Sequence, residues 1–181
     1  GVRALRGPSA GQAEHEGPSF ARLDAPEPDG RGALRIAGVA AGSGEWLELT
    51  IENPLLAEEF ADQAEVLMFA RRAADIVGAT PMDRPEWTTV GPDEYVYCSL
   101  TNNTRRNDTD AAHPIAPNRH GHIIRWRDED HHVGTKFTWE IFLIAEETHG
   151  TEESLSSPDG LWADPDGRLF IQTDGGGQED G

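Results

Sequence analysis

The sequence predicts a mainly β fold: partial β-propeller blades with one inserted helix at about 55–77. Three observations predict it. An acidic corner occurs twice: Arg84-Pro85-Glu86-Trp87 leads to Pro92-Asp93 and the run Tyr95–Leu100, and Ser157-Pro158-Asp159-Gly160 leads to Pro165-Asp166 and the run Leu169–Gln172. Each unit reads as a carboxylate after a proline, a short strand, a Pro-Asp turn and a second strand, which suits a propeller blade feeding a residue to the central channel. From Thr80 onward apolar residues alternate in short runs between turn residues. Only residues 55–77 carry apolar residues at helical spacing.

The elements follow in order. Residues 1–32 are rich in Gly, Pro, Ala and charge, without a period, and read as a loop or disordered lead-in. Leu34–Ala40 reads as a short strand, and Trp46–Ile51 alternates as a strand should. The helix spans Leu55–Val77, with Asn53 as its cap, Pro54 in its first turn, and Phe60, Ala64, Leu67, Ala74 and Val77 on one face. Gly78 terminates it. Strands are expected at 87–90, 95–100, 122–126, 136–144, 161–163 and 168–172. The polar stretch Thr101–Gly121 is long for a plain connection and reads as a functional loop. Residues 33–174 form the expected domain, and 175–181 a flexible tail. Roughly seventy residues separate Glu86 from Asp159, against about 40–50 for one blade, so the chain supplies part of a closed propeller.

Composition excludes some partners. A net charge of −18 argues against nucleic acid and anionic membrane surfaces. No run approaches the ~18 apolar residues of a spanning helix. Lys136 is the sole lysine, a bias that fits a GC-rich coding sequence or a carboxylate-rich surface adapted to salt. Cys98 is the sole cysteine, so no internal disulfide forms. The chain starts at Gly1 without methionine or an apolar signal core and reads as an excised or partial piece, which leaves export open.

Glu86 and Asp159 are the first candidates for chemistry. Either alone reads as a turn cap, but their matched settings suggest oxygen ligands delivered from separate segments to a hard cation. Arg84 lies two residues before Glu86, on the same side of an extended chain. It is a surface ion-pair partner or a fork-shaped donor for phosphate. His113, His120, His122, His131 and His132 lie close in sequence. His120-Gly121-His122 would place two rings on one strand face, but no helical H-E-x-x-H and no cysteine pair accompany them. His122 reads as a core histidine, and His131-His132 as an exposed acidic turn. No G-x-S-x-G elbow and no phosphate-binding Gly-rich loop are present.

The strings DQAEVLMFARRAADIVGATPMDRPEW, VYCSLTNNTRR, APNRHGHIIRW and SSPDGLWADPDGRLFIQTDG resemble, in order, the C-terminal half of the PhoX-type alkaline phosphatase family over about residues 55–175. The resemblance implies a secreted β-propeller phosphatase acting on phosphate monoesters, periplasmic or extracellular, with Ca2+ and Fe3+ at its axis. It implies phosphate binding for Arg84, a metal-bridging carboxylate for Glu86, a cation-site carboxylate for Asp159 and a weaker one for Asp174. Asn102 and Asn118 lie in family strings without an assigned role. The family's iron-ligating cysteine, a further metal carboxylate and a phosphate-binding lysine belong to an upstream region. Cys98 and Lys136 do not match them, so the iron site is expected to be incomplete and the chain alone inactive. The alternatives are a noncatalytic propeller-like module binding calcium or a partner, and an incomplete gene product.

Overall fold

Antiparallel pairing organises the strands from Pro85 to Thr173 in the computed structural model, which describes residues 19–23, 41–148 and 154–174. The strands are β1 Ser19–Leu23, β2 Ala41–Glu48, β3 Pro85–Val90, β4 Val96–Leu100, β5 His122–Asp128, β6 Lys136–Ile144, β7 Pro158–Ala163 and β8 Leu169–Thr173. The expected strands from residue 87 onward are all present. β1 falls inside the segment read as a lead-in loop, and the strand expected at Leu34–Ala40 lies outside the described residues.

The described residues divide into two units. One contains residues 19–22 and 45–81; the other contains 23, 41–44, 82–148 and 154–174. In the second, β3 to β6 form an up-and-down meander in the order β6-β5-β4-β3. Trp139 Nε1 donates to the Ser43 carbonyl at 3.1 Å. β7 and β8 pair as a separate hairpin.

Alternation dictates which side chains are covered. Along β6, Phe137, Trp139 and Ile141 are buried while Lys136 and Thr138 are exposed. β4 differs, because Tyr97, Cys98, Ser99 and Leu100 are all buried, as expected of a strand covered on both faces. Leu161 of β7 packs with Tyr97 and Ile123, joined by Tyr95, Phe142, Leu143, Leu169 and Ile171. Cys98 registers with Ile124, and Ile124 with Ile141, in an apolar row. Burial pushes the Cys98 thiol up to about 12, which removes it as a thiolate at neutral pH.

In the first unit the segment expected as one helix is helical but broken: α1 Pro54–Ala57, α2 Gln63–Met68 and α3 Ala70–Ile76. Asn53 caps α1, its Oδ1 accepting from Leu55 N at 3.0 Å. The break arises at a second cap: Asp62 Oδ1 accepts from Glu65 N at 2.9 Å, and Glu65 Oε2 accepts from Ala61 N at 2.7 Å. This reciprocal arrangement resembles a capping box and starts a new helix. The restart changes the phase, so Ala64 and Leu67 are exposed and Val66 enters the core with Leu49, Leu56, Phe60, Ala73 and Ala74. Gly78 ends α3 with φ 76°, and Ala79 N closes onto the Ala74 carbonyl at 2.9 Å.

Truncation distinguishes this phase from an unbroken helix. Val66→Ala is expected to lower stability by on the order of 2 kcal/mol, and Leu67→Ala by less than about 0.5 kcal/mol. Urea denaturation of the two variants measures the difference; equal losses would restore the single-helix register.

Candidate functional site

A carboxylate without solvent exposure needs several donors to offset its lost hydration. Asp83, just before β3, is such a group, with 0% exposure. Asn103 Nδ2 donates to its Oδ1 at 2.9 Å, Asn118 Nδ2 donates to its Oδ2 at 2.9 Å, and His113 Nδ1 contacts the same Oδ2. The oxygen accepts, so the His113 ring hydrogen sits on Nδ1. Asn118 is fixed on both sides of its amide. Its Oδ1 accepts from Gly121 N at 2.9 Å, and its NH2 also faces His122 Nδ1 at 2.9 Å. His122 Nδ1 is therefore an acceptor, and its Nε2 donates to the Ala112 carbonyl at 3.1 Å. His122 is a neutral core histidine; burial pushes its pKa down to about 4.

These bonds turn the polar stretch 101–121 into a folded element. Asn103 and Asn118 exchange backbone hydrogen bonds at 2.7 and 3.0 Å, and Asp110 and His113 do so at 3.0 and 3.2 Å. Gly121 closes the element at φ 79°, where a Cβ would lie 2.2 Å from the Thr101 carbonyl oxygen and 2.4 Å from that of Leu100. Glycine is required there both for the left-handed backbone and for this approach to β4. The same turn separates two histidines expected on one strand face. His122 faces Asn118 and Ala112, whereas His120 Nδ1 meets Ser156 Oγ at 3.0 Å and its Nε2 lies 3.4 Å from Glu146 Oε2. His131 is exposed and pairs with Glu94 at 2.8 Å.

The surface above this network carries the sequence candidates. Arg84 departs from the extended backbone, with φ 53°, and Thr101 N donates to its carbonyl at 3.1 Å. One guanidinium nitrogen of Arg84 donates to Asn102 Oδ1 at 3.1 Å. Another lies 3.5 Å from Glu86 Oε1 and 3.8 Å from Asp174 Oδ2. The structure thus brings Arg84, Glu86 and Asp174 together. Both ion pairs are long and solvated, a class that contributes about 0–1 kcal/mol, and 52% of the Arg84 side chain remains exposed.

Asp159 approaches through its backbone. The buried Ser99 hydroxyl donates to the Asp159 carbonyl at 2.6 Å and accepts from Trp87 N at 3.0 Å, so one side chain joins the two acidic corners. Asp174 N donates to the Ser157 carbonyl at 2.9 Å, and Ser157 N donates to the His120 carbonyl at 2.8 Å. Asp159 and Asp174 therefore lie at the open end of the β7–β8 hairpin. Among the described residues no ion pair joins Asp159 to Arg84, and no three His, Cys, Asp or Glu residues form a group able to hold a metal ion.

The family model described as alkaline phosphatase PhoX matches residues 21–181. The chain belongs to the PhoX alkaline phosphatase family. A similar solved structure is that of Pseudomonas fluorescens PhoX in complex with vanadate, a transition state analogue; it is 38% identical, with a TM-score of 0.75 over 91% of this chain and 31% of that one. The chain thus spans about a third of the length of that PhoX structure. No curated protein matches the chain. Asp83, which immediately precedes the Arg-Pro-Glu corner of this PhoX family member, is missed by sequence reasoning because aspartate is ordinarily a surface residue.

The neutral state of His122 makes the fold acid-sensitive. The unfolded chain protonates it near its ordinary 6.5, the folded chain only at about 4. Between those values the unfolded state binds more protons, so this contribution is complete above about pH 6.5 and is lost as pH falls toward 4. The loss is on the order of 3 kcal/mol. Urea denaturation at pH 7 and pH 4.5 should show His122→Gln losing less stability on acidification than the unsubstituted chain; parallel losses would show that His122 does not carry the effect.

Proposed function

We propose that this chain forms the phosphate-recognition part of a PhoX-type phosphomonoesterase, with Arg84 as the anion-binding residue. One observation carries this reading: the Arg84 guanidinium is half exposed, held by Asn102, and only loosely paired with carboxylates at 3.5 and 3.8 Å. An anion can therefore take the fork without breaking a tight ion pair. A guanidinium matches the geometry of two phosphate oxygens and neutralises the charge that spreads over a transferring phosphoryl group. The vanadate complex of the similar structure supports the same substrate class. The four-strand meander β3–β6 has the form of a blade, which supports a larger propeller. The same reading sets the protein's work outside the cytoplasm.

The family resemblance also implies calcium and iron. Carboxylates of Glu86, Asp159 and Asp174 are suitable donors for hard cations. Their arrangement does not complete a site: no three-ligand group forms among the described residues, and the Cys98 thiol is buried and pushed up to about 12. Arg84 binds and orients a phosphate ester here, and the chain alone does not turn it over.

Vanadate titration followed by 51V NMR, beside an assay with p-nitrophenyl phosphate, tests both parts. Arg84→Ala should weaken vanadate binding at least about tenfold, equivalent to about 1.4 kcal/mol. Ester hydrolysis should stay at background with or without calcium and iron. Equal affinity in Arg84→Ala would overturn the anion site. Metal-dependent turnover abolished by Glu86→Gln would show a self-sufficient enzyme.

A further inference from the structure

We infer that Asp83 and Asn103 are positioning residues for Arg84, an assignment that rests on the anion-binding reading above. Two chain segments, 83–84 and 101–103, are joined by three successive contacts. Underneath, Asn103 Nδ2 donates to Asp83 Oδ1 at 2.9 Å. Between them, Thr101 N donates to the Arg84 carbonyl at 3.1 Å. At the surface, Arg84 donates to Asn102 Oδ1 at 3.1 Å. The part-buried pair and the surface pair involve adjacent residues on both segments, so fixing one fixes the spacing of the other.

The backbone explains why such a clamp is needed. Arg84 has φ 53°, a left-handed conformation that side chains with a Cβ disfavour. It persists only where the surroundings over-determine it. Asp83 supplies that determination, because its carboxylate is held by Asn103, Asn118 and His113. Relaxing Asp83 would free Arg84 to return to an extended backbone and would separate its guanidinium from Asn102. Asn103 has a second anchor in its backbone exchange with Asn118 at 2.7 and 3.0 Å, so the clamp extends into the folded stretch 101–121.

The test compares Asp83→Asn and Asn103→Ala with Ile141→Ala, a core truncation outside the network. Two quantities are read on the whole chain: the 15N heteronuclear NOE of the Arg84 Nε–Hε group, and vanadate affinity. Asp83→Asn keeps the shape but turns an NH2 toward groups that donate, and Asn103→Ala removes one donor while leaving Asp83 in place. Each should lower the Arg84 NOE and weaken vanadate binding about tenfold, the scale expected when a binding group is displaced. Ile141→Ala should lose stability and alter neither. Unchanged NOE and affinity in folded Asn103→Ala or Asp83→Asn would overturn the positioning role. Unchanged affinity in Arg84→Ala would overturn the anion-binding reading, while the NOE would still decide whether Asp83 orders Arg84. Losses of the same size in Ile141→Ala would show a general effect of destabilisation and overturn the specific assignment.

Discussion

The buried carboxylate of Asp83 is the constraint on which the candidate site depends. A carboxylate removed from water is tolerated only where donors converge on it, and here those donors come from Asn103, Asn118 and His113. All three lie between β4 and β5. Satisfying one charge therefore gathers a stretch without regular secondary structure into a folded element. Arg84, next in sequence to Asp83, and Asn102, next to Asn103, are carried to the surface as neighbours. The strength of the device lies in this adjacency: the interior bond ends on a carboxylate with no solvent exposure, whereas the exposed contacts of Arg84 are too weak to set its position by themselves.

A second constraint aligns the two acidic corners. β4 is buried on both faces, and its Ser99 hydroxyl bridges the Trp87 amide and the Asp159 carbonyl. Glu86 and Asp159 are each one residue or less from that bridge. The corner repeat thus has a structural basis even without a bound ion. The hairpin β7–β8 contributes Asp174 at the same end, within 3.8 Å of Arg84. Arg84 thus lies beside two carboxylates, those of Glu86 and Asp174.

Much of this was legible in the sequence. Short alternating runs after Thr80 identify β3 to β8, and the family strings identify the PhoX relationship. Arg84 lies within 3.8 Å of Glu86 and Asp174, although it reaches Glu86 from a left-handed backbone and not from the extended one the sequence suggests. The helix break was visible only as Asp62 and Glu65 at capping distance, a local signal outweighed by the longer apolar period. His122 opens an apolar strand and reads as a core histidine, which its 0% exposure bears out. Asp83 was not recognisable, because its burial depends on partners twenty to thirty-five residues away. No local pattern announces a polar core; Asn103, Asn118 and His113 become its members only when the loop closes at Gly121.

Amide hydrogen exchange followed by NMR tests the central claim most directly, because it asks whether the stretch 101–121 is part of the folded interior. The backbone amides of Asn103 and Asn118, bonded to each other's carbonyls at 2.7 and 3.0 Å, should be protected to a degree comparable with the amides of β4 and β5. Exchange of both amides at the rate of an open loop, with β4 and β5 still protected, would contradict the account, since Asp83 would then have no fixed element to hold.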